Sequence, residues 1–364
     1  MLQRPLRIGS VAIDFPAGLG ALAGYSDWPF RVLCRRFGAG FAVAEVLLDR
    51  FVMSVTKGSK AGKFLRVDDE DRPCGAQLMG DDPKVFAEAA RTLAARGFDW
   101  IDLNFACPVR KVLGKCRGGW FLGHPREALQ TVAAVRDALP PAVPLTLKLR
   151  RGLEDGRAAE EDFHRIVEGA WSLGVTAITV HPRTVLQRYQ GTADWTFLSR
   201  LRQRWPDRVL LGSGDLHSPL WACRMAEETG VDGLWIARGA VGYPWFFTEL
   251  RAVLDGRPCP PPPSVFEQRR VLEEHFCLAV AAYGPDRSVS VMRNFGFQYA
   301  KIHPRGHSMR PALAHLKTRS DWDELLRRWY GEDLPGLRKP PPMPSESSCL
   351  ERSCSRAEDA AVTN

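Results

Sequence analysis

The stretch Asp102-Leu-Asn-Phe-Ala-Cys-Pro-Val-Arg-Lys111 follows a mostly apolar run from Phe98 to Leu103 and turns polar at Asn104. Three residues on stands Cys107, its backbone restrained by Pro108, ahead of a basic, glycine-broken loop with Lys115, Arg117, Gly118 and Gly119. A thiol just past the end of a buried strand sits where an α/β barrel keeps its chemistry. The rest of the chain repeats that arrangement. Short apolar runs predict strands at Gly18–Ala23, Phe41–Val46, Gly75–Met79, Trp100–Leu103, Val143–Leu149, Ala177–Val180, Val209–Leu211 and Gly233–Ile236. Helical patterns fall between them. Asp82-Pro83 opens one, with Val85, Phe86, Ala89, Ala90 and Leu93 at core spacing, and Gly97 closes it. Phe163, Ile166, Val167, Ala170 and Trp171 repeat the pattern up to Gly174, and His124-Pro125 and Ser218-Pro219 open two more. Alternation of this kind over about 240 residues predicts a (β/α)8 TIM barrel across residues 1–255. Two doubly wound domains would need a second Gly-rich first turn, which the sequence lacks.

The residues at or just beyond the strand ends are Gln77, Asn104 with Cys107, Lys148 with Arg150, His181 with Arg183, Ser213-Gly214-Asp215, and Arg238-Gly239. Each has a plain alternative. Gln77 reads equally well as a partner for a backbone group, Lys148 and Arg150 as a snorkelling pair, and His181 as a structural histidine. Barrel interiors are filled by branched apolar residues, so polar groups at six of eight exits predict one shared mouth. Gly212-Ser-Gly-Asp215 and Ala237-Arg-Gly239 follow the seventh and eighth predicted strands, the usual barrel phosphate position. Either alone reads as an ordinary turn; together they predict a phosphorylated cofactor.

Nine cysteines without CxxC or His-spaced pairs predict neither a zinc site nor a disulfide framework, as expected of a cytoplasmic protein with reduced thiols. No apolar run reaches 18 residues, and no charged-then-apolar N-terminus suggests a membrane span or secretory signal. A formal charge of +8 and a pI near 9.1 favour a polyanionic partner. Placement says more than the total. Arg110, Lys111, Lys115 and Arg117 crowd the Cys107 loop, and Arg293, Lys301, Arg305, Arg310, Lys317 and Arg319 interleave with Phe295, Phe297 and Tyr299. That mixture suits phosphate contact with base stacking, or equally a helical unit with a basic face and an aromatic core.

Seven motifs carry a resemblance: Ala23-Gly-Tyr-Ser-Asp-Trp-Pro-Phe-Arg31, Gln77-Leu-Met-Gly80, Asn104-Phe-Ala-Cys-Pro-Val-Arg-Lys111, Leu147-Lys-Leu-Arg150, His181-Pro-Arg-Thr184, Tyr189-Gln-Gly-Thr-Ala-Asp-Trp195 and Gly212-Ser-Gly-Asp215. In that order they resemble the motifs of the tRNA-dihydrouridine synthases, from about residue 8 to about 248. The resemblance implies an FMN enzyme that reduces uridine in tRNA with NADPH or NADH. It implies FMN contacts at Ala21, Leu22, Ala23, Gln77, Lys148, Ser213, Gly214, Asp215, Ala237 and Arg238. It sets His181 with the flavin and Asn104 and Arg183 with the uracil, and makes Cys107 the proton donor. The residue types suit that chemistry: FMN carries the hydride, and a thiol supplies a proton near the working pH range. Lys148 near the flavin's pyrimidine edge would favour negative charge there.

The sequence departs from the family pattern at Ala106, where glycine is usual, at Gly20-Ala-Leu-Ala23, and at Ser213 and Ala237. Two other readings therefore stand beside the first: an FMN barrel oxidoreductase for a small molecule, and a non-catalytic tRNA-binding paralogue. The expected organisation is a barrel over 1–255, a Pro-rich linker over 256–263, and a helical tRNA-binding domain over 264–332 with helices at Phe266–Tyr283 and Trp322–Tyr330. From about Leu337 the composition predicts a disordered tail to 364. A monomer bound to tRNA, without metal or membrane, completes the expectation.

Overall fold

A computed structural model of the chain describes residues 2, 5–55 and 60–340. Among the described residues ten strands run in chain order: β1 Leu6–Ile8, β2 Val11–Ile13, β3 Ala17–Leu19, β4 Ala42–Leu48, β5 Cys74–Met79, β6 Trp100–Phe105, β7 Leu145–Arg150, β8 Ala177–His181, β9 Val209–Gly212 and β10 Gly233–Ile236. β3 to β10 form a closed, all-parallel barrel, β10 completing the ring against β3 through Leu234↔Ala17, Trp235↔Gly18 and Ile236↔Leu19. Each barrel strand is followed by a helix, as the alternation predicts. At Pro83–Ala95 the Asp82 carboxylate accepts from the N–H groups of Lys84 and Val85, while Phe86, Ala89, Ala90 and Leu93 face the core. At Arg157–Ser172 the buried stripe is Phe163, Ile166, Val167, Ala170 and Trp171.

The first predicted strand runs shorter than its apolar pattern. The strand ends at Leu19, although the Gly20 N–H still donates to the Ile236 carbonyl at 2.7 Å; a Cβ at Gly20 would lie 1.9 Å from Nε1 of Trp235, so the position takes glycine. The chain turns out there, so Ala21, Leu22 and Ala23 become lining rather than strand. Below them the N-terminal hairpin β1–β2 contributes Leu6, Ile8 and Ile13 to one apolar cluster with Phe41, Trp100 and Trp235. Leu6, Ile8, Val11 and Ile13 around Gly9-Ser10 are a readable hairpin signal. Glycines make room for the large rings of this layer: a Cβ at Gly75 would sit 2.3 Å from Trp100.

Beyond residue 255, the described residues form four helices at Val265–Tyr283, Pro285–Tyr299, Gly306–Ala314 and Arg319–Trp329; the first two meet the barrel helix Trp28–Arg36, and the last two pack on the second. Phe295 and Tyr299 are buried, Phe295 against Phe30 and Tyr25, so they form core rather than a stacking surface. Phe297 is half-buried beneath the Arg310 guanidinium. Tyr283 donates to Asp27 at 2.8 Å and Gln298 to the Tyr25 hydroxyl at 3.3 Å, beside the barrel mouth. Among the described residues no helix is long and apolar enough to cross a membrane.

Residues 341–364 of the expected tail lie outside the described residues. Leu337 to Lys339 depart from the expectation, because each is bonded to the folded body. Their composition hid this, since backbone carbonyls far along the chain supply most of the partners.

The fit between Gly75 and Trp100 is testable. Gly75→Val should cost about 1–3 kcal/mol in a denaturant titration, by overpacking a filled layer. A Gly75→Val, Trp100→Phe double variant should recover part of that loss. An unchanged midpoint in the single variant would mean that this layer yields.

Candidate active site

A cavity of about 990 Å³, counting its open mouth, lies at the C-terminal ends of the barrel strands. Ala21, Leu22, Ala23, Gln77, Asn104, Cys107, Lys148, His181, Ser213, Gly214, Asp215, Ala237 and Arg238 line it. Trp235 lines it from below and also belongs to the apolar cluster beneath, so one indole separates the cavity from the barrel plug. The Lys148 ammonium stands 5.7 Å from that ring and donates to the Ser213 hydroxyl at 3.1 Å.

A chain of buried hydrogen bonds leads from the barrel interior to the Cys107 loop. Asp102 accepts from the Thr146 hydroxyl at 2.6 Å and from the Gln77 amide at 2.7 Å. The Gln77 carbonyl accepts from the Asn104 amide at 2.8 Å, and the Asn104 carbonyl accepts from the N–H groups of Ala106 and Cys107, both at 3.0 Å. An ionised carboxylate only accepts, so Asp102 decides which way both amides face. Burial raises the Asp102 carboxyl, while the bonds from Thr146 and Gln77 and the nearby Lys148 favour its ionised form. Burial likewise lowers the Lys148 ammonium, and attraction to Asp102 opposes this.

Arg150 ties the loop down from the other side. It donates to the carbonyls of Ala106, Thr184 and Arg188, joining the Cys107 loop to the segment after β8. Burial lowers its guanidinium to about 10, which leaves it charged at neutral pH. Gly119 N–H donates to the Cys107 carbonyl at 2.9 Å, and a Cβ at Gly118 would come within 2.8 Å of Cys107 Cβ. The thiol-bearing residue is thus packed closely while remaining partly open to the cavity. Arg110, Lys111 and Lys115 are exposed on the same loop. Arg117 differs from its basic neighbours: it is buried and paired with Asp81 at 3.2 Å.

The segments after β8 and β9 are joined by charge. Arg183 does not line the cavity; its guanidinium meets both oxygens of Asp215, at 2.8 and 2.7 Å, and the carbonyls of Gln190 and Gly191. Burial would raise the Asp215 carboxyl, but the bonds from His217, Arg183 and the Ala193 N–H outweigh it and hold the group well below the usual range. Asp215 also has φ of 58°, a left-handed conformation that Asp tolerates better than most residues. His181 is held well below its ordinary pKa by burial and by Arg150, Lys148, Arg183 and Arg238, so its imidazole is neutral at pH 7. Its Nδ1 is buried without a hydrogen-bond partner among the described residues, and Nε2 lies beside Gly214.

These features suit a phosphorylated aromatic ligand. His181 Nδ1 and the Trp235 indole N–H are buried and unsatisfied. A Cβ at Gly239 would lie 2.1 Å from the Leu216 carbonyl, so the segments after β9 and β10 meet at backbone distance. Arg238 stands at the mouth with its guanidinium 4.6 Å from the Tyr189 ring centre. Asp102, His217 and Lys339 carry no role in the sequence reading. Asp102 had a signal, a lone carboxylate inside a predicted strand. His217 had none.

Among solved structures, the fold is similar to morphinone reductase in complex with tetrahydroNAD, with a TM-score of 0.53 and 14% identity over 72% of this chain and 92% of that one. It is also similar to 2-naphthoyl-CoA reductase, with a TM-score of 0.55 and 11% identity over 71% and 52% of the two chains. At such low identity these likenesses speak for the barrel alone. Sequence is more specific. Residues 19–332 match the family model described as dihydrouridine synthase, and the chain belongs to that family. It is 35% identical to a probable tRNA-dihydrouridine synthase of Mycobacterium tuberculosis, over 90% of this chain and 85% of that one. It is 32% identical to tRNA-dihydrouridine synthase B of Xanthomonas campestris, over 93% and 99%. Membership makes the chain an oxidoreductase acting on CH–CH bonds.

The Arg183–Asp215 pair has a defined pH signature. Asp215→Asn leaves a buried guanidinium without its counter-charge and should cost about 3–5 kcal/mol. Because the folded carboxyl titrates below its unfolded value, its contribution is complete above roughly pH 4 and is lost as pH falls further. Unfolding measured from pH 7 to pH 2 should show the difference between wild type and variant shrinking only below about 4. A pH-independent difference would rule out the charge as its source.

Proposed function

We propose that this protein is an FMN-dependent tRNA-dihydrouridine synthase, which reduces the C5–C6 bond of specific tRNA uridines with NADPH or NADH. The observation that carries the reading is the placement of Cys107. Asn104 and Gly119 hold the Cys107 backbone and Gly118 packs on its Cβ, on the wall of a cavity shared with Lys148, His181 and Arg238.

FMN supplies hydride chemistry when bound, and the net reaction takes two electrons from the nicotinamide and one proton from the medium. Ser213, Gly214, Ala237 and Arg238 are the residues to hold its phosphate, with Ala21 to Ala23, Gln77, Lys148 and His181 around its rings. Cys107 holds the proton destined for uracil C5, and solvent restores it after each turnover. Asn104 bonds the backbone N–H groups of the Cys107 loop, and its remaining amide hydrogen would donate to a uracil carbonyl. His181, neutral and short of a partner at Nδ1, serves as a hydrogen-bonding group rather than as an acid. Arg183 acts at one remove, by holding Asp215.

The target uridine must leave its stack to enter a cavity at the barrel mouth, a cost repaid by contacts along the RNA. Exposed Arg110, Lys111 and Lys115 on the Cys107 loop, with Arg305, Arg310, Lys317 and Arg319 on the helical region, suit those phosphate contacts. Residues 264–332 then act as the tRNA-binding domain, and the work is done in the cytoplasm, where the tRNA pool is modified.

Purified protein should carry a flavin spectrum and form dihydrouridine in tRNA drawn from cells lacking this gene. Cys107→Ala should keep the flavin and slow the reaction by at least about 100-fold. Absence of flavin, or a variant as fast as wild type, would defeat the reading. Flavin with full turnover of a free pyrimidine or an enone, and none of tRNA, would favour the small-molecule oxidoreductase.

A further inference from the structure

The segment Leu337–Lys339 returns to the barrel about 100 residues after its last strand ends. Leu337 N–H donates to the Ile302 carbonyl at 2.8 Å. Arg338 pairs with the buried Glu249 at 3.1 Å and donates to the Pro260 carbonyl. These contacts deliver Lys339 to one spot. Its ammonium donates to the Arg238 carbonyl at 2.6 Å, to the Gly239 carbonyl at 3.2 Å, and to the Val241 carbonyl. An ammonium has three donors and no acceptor, and here three carbonyls of one loop meet it.

That loop is the one after β10, whose Ala237, Arg238 and Gly239 line the cavity. Two glycines within six residues, Gly239 and Gly242, leave it costly in entropy to hold still. A trans peptide is planar, so fixing the Arg238 carbonyl toward Lys339 turns the Gly239 N–H the opposite way. The Lys339 charge also reaches the cavity wall, where it helps to lower the pKa of His217.

We propose that Lys339 is a positioning residue for a phosphate monoester: from behind the loop it fixes the backbone and adds positive potential where the cofactor phosphate binds. The proposal rests on the FMN reading above and assigns its phosphate affinity partly to a residue outside the barrel.

Flavin release from diluted holoenzyme, read as free-flavin fluorescence, gives the FMN dissociation constant; riboflavin, which lacks the phosphate, is titrated in parallel. Lys339→Met should weaken FMN about tenfold, the loss expected for charge-assisted hydrogen bonds, and leave riboflavin binding unchanged. Lys339→Arg should restore most of the difference. Arg338→Met, which spares the ammonium, should shift the ratio of the two constants far less. If Lys339→Met does not fold, the same ratio is read from Lys339→Gln. Equal losses for FMN and riboflavin would reduce Lys339 to a structural tie, and an unchanged FMN constant would overturn the proposal outright. Failure of the wild type to bind either flavin would defeat the FMN reading itself, and this proposal with it.

Discussion

Closure of the barrel between β10 and β3 is the constraint on which the rest depends. Because all eight strands run parallel around the ring, every C-terminal end falls on one rim. Residues more than 200 positions apart, such as Ala23 and Arg238, thereby share a wall. Trp235 sits in the closing ladder itself and packs against the aromatic plug below. Its bulk leaves room only for glycine at position 20, and Ala21 to Ala23 just beyond line the cavity. The same indole thus lines the cavity and lies against the chain that borders it.

Charge distribution around the cavity follows from a second constraint, the cost of burying ions. Burial first, and then the charges of Arg150, Lys148, Arg183 and Arg238, hold His181 well below its ordinary pKa. Against them stand Asp102 and Asp215, each engaged by hydrogen bonds from neighbouring groups. Arg183 is matched by Asp215. The remaining cationic character suits an anionic ligand at the mouth. The amide chain from Asp102 to Cys107 belongs to the same economy of buried groups. Each side chain in it bonds the next, so the loop carrying the thiol inherits its position from a carboxylate two strand positions before Asn104.

The helical region and the segment after it are bound to the barrel by specific contacts near this rim. Tyr283 and Gln298 reach Asp27 and Tyr25, just after the lining residues Ala21 to Ala23. Lys339 reaches the opposite side of the closing ladder. The two flanks of the β10–β3 seam are thus each braced from outside the barrel.

Strand and helix positions were legible in the sequence because they depend on local periodicity, and a parallel barrel writes that period plainly. Residues 83–95 and 157–172 display their buried stripes in order, and seven of the eight barrel strands lie close to their apolar runs. The residue types at the strand exits were equally readable, since a polar group after a buried strand is a local anomaly. Pairing was not. Nothing near Arg183 in sequence indicates Asp215, and nothing near Lys339 indicates the carbonyls of Arg238, Gly239 and Val241. Phe295 and Tyr299 had two acceptable readings until Phe30 and Tyr25 were brought against Phe295. By itself the sequence determined which elements form and which chemical groups stand at their ends. Tertiary structure alone decided which of those groups meet, because hydrogen bonds and ion pairs act over a few ångströms of space, whatever the distance along the chain.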